Sequence, residues 1–117
     1  MDNAVLNKSK AFAIRTINLY RYLCEEKREF VLSKQLLRSG TSVGANCREA
    51  SRAQSTPDFI SKMNIALKEA DETAYWLELL HESDFLDEKQ YISIYKDAEE
   101  LIKLLVTIIK STKKNNS

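Results

Sequence analysis

The chain has 117 residues, two glycines, one proline and a net charge of +1, enough for one domain over 1–117 with one core. So few turn-forming residues argue against strands and hairpins, and no apolar run approaches the 18 or so residues of a membrane span. Abundant Leu, Lys, Glu, Ala and Ser favour helices joined by short loops.

The first helix is expected over about 8–26. Phe12, Ala13, Thr16, Ile17, Leu19, Tyr20, Leu23 and Cys24 share one arc of the wheel, with Arg15, Asn18 and Arg21 opposite. The stretch before it, "MDNAVLNKSK", lacks the basic and long apolar regions of a secretory signal. Cys24 and Cys47 show no metal-binding or redox spacing and read as reduced thiols, so a cytoplasmic protein is expected.

The second helix is expected over 28–53 despite Gly40 and Gly44, each of which costs about 1 kcal/mol relative to alanine in a helix interior. Leu32, Leu36, Val43, Cys47 and Ala50 keep one apolar phase across both glycines, which a loop has no reason to do. The glycines sit beside that arc, where they let another helix backbone approach. Lys34, Arg38, Arg48 and Arg52 form a basic stripe on a different side. The segment "SGTSVGAN" lacks the Lys-Ser/Thr ending of a P-loop, so a phosphate-cradling loop is set aside.

The third helix is expected over 57–83, with Thr56 as N-cap and Pro57 at the first helical position. Glu69 and Glu72 share a face with Ile65, Trp76 and Leu79, so they need partners. Arg38, Arg48 and Asn46 are candidates, and Arg38, Asn46, Glu69 and Glu72 are expected to form a polar network. The fourth helix is expected over 87–110, opened by an Asp87–Gln90 capping box, with 111–117 as a frayed polar tail. Its apolar residues cover most of its circumference, far beyond the stripe a lone bundle needs. Either neighbouring helices of the same chain cover them, or another subunit does. Ile94, Leu101, Leu104 and Ile108 are the candidate interface residues.

Residues 1–56 hold ten Lys/Arg against five Asp/Glu, whereas residues 57–86 hold two against seven. The halves can pair or can face different partners. The stripe is open to three readings: phosphate contact through Lys34, Arg48 and Arg52, ion pairing, or plain solvation. Glu78 and His81 have the E-x-x-H spacing of di-iron bundles, but such a site needs two motifs and His81 is the only histidine. No catalytic residue, metal site or cofactor is expected, and the chain is read as a non-enzyme.

The run from Gln35 to Leu80 resembles the four-helix-bundle proteins related to those encoded in intervening sequences of bacterial 23S rRNA genes. Gln35, Leu36, Arg38, Ser39, Ser42, Val43, Ala45, Asn46 and Glu49 match the pattern of helix two. Phe59, Ala66, Ala70, Glu72 and the stretch from Tyr75 to Leu80 match that of helix three, while Ala50 stands where a glycine is frequent. The resemblance implies an all-α, up-down-up-down four-helix bundle that assembles into a homo-oligomeric, pentameric ring. A related branch, the accessory variability determinants of diversity-generating retroelements, forms basic rings that bind a reverse transcriptase and nucleic acid. The expected function is therefore a homo-oligomeric scaffold that contacts RNA or DNA through basic faces of helices one and two. The alternative is an adaptor for a protein client such as a reverse transcriptase.

Overall fold

Side-chain caps close the connections between helices, and they set where each helix begins. The computed structural model describes residues 3–115, in which four helices run α1 Asn3–Glu25, α2 Leu32–Ser51, α3 Thr56–Glu82 and α4 Glu88–Asn115. The outermost residues of the expected 1–117 domain lie outside this range.

The α1–α2 connection is organised by Glu29, which is 8% exposed. Its carboxylate accepts from the backbone amides of Val31 (3.1 Å), Leu32 (2.9 Å) and Ser33 (2.7 Å), and the Ser33 hydroxyl donates back to the Glu29 carbonyl. A negative group at the positive end of a helix is also favoured by the helix dipole. Arg28 has φ 55°, in the left-handed region. These two features start α2 at Leu32 rather than at residue 28, and α2 ends at Ser51, two residues short of the expected 53. α3 is capped by Ser55, whose hydroxyl accepts from the Asp58 amide at 3.2 Å, so Thr56 is already helical and is not the cap. At α4 the Asp87–Gln90 capping box forms, with reciprocal bonds of 2.7 and 3.0 Å.

Two helix ends extend beyond their expected positions. α1 begins at Asn3 because Val5 and Ser9 are buried. α4 continues through Asn115, so residues 111–115 are helical rather than frayed. Thr112 packs near the α2–α3 turn, and Lys113 and Lys114 suit the negative end of the dipole.

Consecutive helices pack against each other, and α4 returns to α1 to close the bundle more loosely. α2 and α4 occupy opposite corners, as do α1 and α3. The core is built from Phe12 and Leu23 of α1, Leu36 and Val43 of α2, Met63 and Leu77 of α3, and Ile94, Leu101 and Leu105 of α4. Ile94 (3% exposed) and Leu101 (2%) therefore lie inside the chain's own core rather than at a free interface. Leu104 and Ile108 are partly buried against the same core. Much of the apolar circumference of α4 is absorbed within the chain, because this helix faces both α1 and α3. The exposed large apolar side chains on α3 and α4 are Ile65, Tyr75 and Ile92.

The glycines face α1. A Cβ at Gly40 would lie 2.5 Å from Thr16 Cγ2, and one at Gly44 would lie 3.3 Å from the Ser9 carbonyl oxygen. Neither glycine has positive φ, so both are helical and serve close approach rather than a turn.

Candidate nucleic-acid interface

α1 carries Lys8, Lys10, Arg15 and Arg21 against Glu25 alone. α2 and its C-cap carry Lys34, Arg38, Arg48 and Arg52 against Glu49 alone. The bundle sorts these eight cations into two groups.

Three of them are held in the seams between helices. Lys8 pairs with Glu100 of α4. Arg15 binds Asp97 at 2.6 Å and also donates to the Ser93 hydroxyl and carbonyl. Arg38 bridges Glu69 (2.9 Å) and Glu72 (2.6 Å) of α3. The Glu72 hydrogen bond foremost, with the charge of both carboxylates, raises the Arg38 pKa above its ordinary value, against the opposing effect of burial. Beneath this pair the Thr73 and Ser39 hydroxyls meet at 2.8 Å. Asn46 does not join the network as expected. It donates to the Ser42 carbonyl one turn back, at 2.8 Å, which satisfies it within α2.

The other five, Lys10, Arg21, Lys34, Arg48 and Arg52, are exposed. Among the described residues none of them forms an ion pair. The contacts of Gly40 with Thr16 and Gly44 with Ser9 set α1 and α2 antiparallel and close, so their exposed cations lie on adjoining helices. Lys34 to Arg52 spans about 27 Å along α2 at 1.5 Å per residue. Thr41 and Ala45 lie between them and leave the row uncovered. Lys10 was not identified from the sequence. Its only signal was its phase on α1, outside the apolar arc.

The α3–α4 turn holds the remaining titratable cluster. His81 Nε2 lies 2.9 Å from Glu88, and its ring stacks on Tyr91 at 4.2 Å. Glu78 instead accepts from the Tyr95 hydroxyl at 2.9 Å. Burial, then the bond and charge of Glu78, push the Tyr95 phenol up to about 12. Glu78 and His81 thus have separate partners and do not converge. The described residues contain no group of three or more His, Cys, Asp or Glu placed to hold a metal ion, and none of their helices is long and apolar enough to cross a membrane. Cys24 and Cys47 are free, and burial raises the Cys47 thiol pKa.

The family model described as 23S rRNA-intervening sequence protein matches residues 1–107. The chain belongs to this family. The crystal structure of a protein of unknown function from the S23 ribosomal protein family of Bacteroides thetaiotaomicron VPI-5482 is similar over almost its full length. Identity is 59%, coverage is 92% of this chain and 96% of that one, and the TM-score is 0.91. No curated protein matches the chain. Family membership accounts for the helix-two and helix-three motifs, and the bundle places their Arg38, Ser39 and Glu72 in the α2–α3 seam.

Proposed function

We propose that this family member is a non-enzymatic cytoplasmic scaffold that assembles with copies of itself, as a pentamer, and binds the phosphate backbone of RNA through the α1–α2 face. The observation that carries the reading is the sorting of cations. Those in the seams are paired, while Lys10, Arg21, Lys34, Arg48 and Arg52 stand exposed on two helices that hold one carboxylate each. Unpaired cations along a straight face suit a polyanion, and repetition in an oligomer multiplies their effect. The family description names a 23S rRNA intervening sequence, so structured RNA is the first ligand to test. Self-association draws on the exposed Ile65, Tyr75 and Ile92.

The same apolar side chains favour a second reading, an adaptor that holds a protein client such as a reverse transcriptase and makes no nucleic-acid contact. Fluorescence anisotropy with a structured RNA separates the two. Five phosphate contacts predict a loss of affinity of roughly 130- to 500-fold between 50 and 200 mM salt. No RNA binding at 50 mM salt rejects the first reading.

A further inference from the structure

The outer side of α4 carries a second basic row. Lys89, Lys96, Lys103 and Lys110 recur every seven residues along this helix. A seven-residue step nearly returns to the same side of a 3.6-residue helix, so the four ammonium groups form a gently winding line about 32 Å long. All four are exposed. Among the described residues none has an ion-pair partner, although Glu99 lies three residues after Lys96 and four before Lys103.

The helix's other carboxylates are engaged by groups outside this line, although Glu100 too lies four residues after Lys96 and three before Lys103. Asp97 binds Arg15 and Glu100 binds Lys8, both across the α1–α4 seam, and Glu88 binds His81 of α3. α4 is therefore sorted like α1 and α2, with its paired charges toward its neighbours and its unpaired cations outward. Ser93 and Thr107 lie between the lysines, and the exposed Ile92, between Lys89 and Lys96, is the large apolar side chain beside the row. Most of the apolar side of α4 is committed to the core through Ile94, Leu101 and Leu105, and Ile92 alone is too small an apolar surface to anchor the helix in lipid.

α2 and α4 occupy opposite corners of a bundle whose shorter dimensions are 21 and 20 Å. One nucleic-acid segment lying along the α2 row does not reach the α4 row of the same chain. We propose that the α4 lysine row is a second phosphate-binding face, so that each bundle bridges two nucleic-acid segments. This inference rests on the RNA-binding reading of the α1–α2 face.

The test uses two 20-base-pair RNA duplexes, one carrying a donor dye and one an acceptor, mixed with the full chain at 50 mM salt. Wild-type protein should bring the dyes together, and energy transfer should collapse as salt rises. The α1–α2 faces of an oligomer also bridge, so the variants are compared on an Arg48→Glu/Arg52→Glu background, where Lys96→Glu/Lys103→Glu should reduce the remaining duplex binding at least tenfold. Lys96→Gln/Lys103→Gln should give a smaller loss, since it removes charge without reversing it. Circular dichroism and light scattering control for folding and mass. Undiminished duplex binding by the Lys→Glu variant on that background overturns the inference and leaves the α1–α2 reading standing. A changed oligomer mass also overturns it, because the row is then a subunit contact. So does binding of the row to vesicles containing phosphatidylserine but not to RNA. If the wild-type chain binds no RNA at all, both readings fall.

Discussion

Alanine at Gly40 is the sharpest test of how α1 and α2 approach. The new Cβ would sit 2.5 Å from Thr16 Cγ2, 2.8 Å from Oγ1 and 2.9 Å from Cβ. Thr16 cannot swing away freely. It is β-branched and fully buried, and its hydroxyl donates to the Ala13 carbonyl at 2.8 Å. Overpacking of this kind costs typically about 1–3 kcal/mol, against a gain of about 1 kcal/mol in helix propensity. Gly40→Ala should therefore lose about 0–2 kcal/mol net, or up to roughly 10 °C in Tm. Gly44→Ala should stay within about 1 kcal/mol of wild type, because its Cβ meets the Ser9 carbonyl oxygen at 3.3 Å and needs only a small shift. Urea unfolding at fixed protein concentration, followed by circular dichroism and Trp76 fluorescence, measures both. A double-mutant cycle with Thr16→Ala should show the Gly40→Ala penalty largely relieved. A Gly40→Ala protein more stable than wild type would refute the close-packing argument.

Arg38→Gln should cost about 1.5–3 kcal/mol in the same unfolding assay, since it strips a charged hydrogen-bond partner from the buried Glu69; no loss would mean Glu69 is satisfied elsewhere. The Tyr95 phenol should ionise near pH 12 in ultraviolet titration. Its pKa is raised in the folded state, so its contribution to stability is intact below pH 10 and declines between about 10 and 12; Tyr95→Phe should flatten that part of the pH profile. Light scattering coupled to size exclusion should give several times the 13.5 kDa chain mass, and Ile92→Glu should lower it. A monomer at micromolar concentration removes the assembly.

Periodicity made the helices legible, and local chemistry decided their ends. The Arg38 pairing was readable because Glu69 and Glu72 share a face with apolar residues and needed a cation. Asn46 was misplaced because an amide on a helix is satisfied just as well by the carbonyl four residues back. A wheel shows how wide the apolar arc of α4 is, but not which part of it the chain's own helices cover, so Ile94 and Leu101 lie in the core and not at the expected interface. The Glu29 cap escaped notice because it reaches the first turn of α2 from outside the usual cap position, across a left-handed Arg28. The exposed cations of α2 were visible as a stripe. The fold adds that Arg48, the other arginine that could have met Glu69 and Glu72, forms no ion pair among the described residues.

That division gives the most direct test of the central claim. Arg52→Glu and Arg48→Glu/Arg52→Glu would be compared with Arg38→Gln for RNA affinity as a function of salt, with urea unfolding in parallel. The Arg48 and Arg52 variants should fold within about 0.5 kcal/mol per exposed change. They should bind RNA more weakly, and the double variant should lower the salt slope by about 1.4–1.8. Arg38→Gln should do the reverse, losing stability while its RNA binding, measured where it remains folded, keeps the wild-type slope. If Arg52→Glu instead unfolds or disassembles the protein in the absence of RNA, the row is structural and the α1–α2 face is not a phosphate-binding surface.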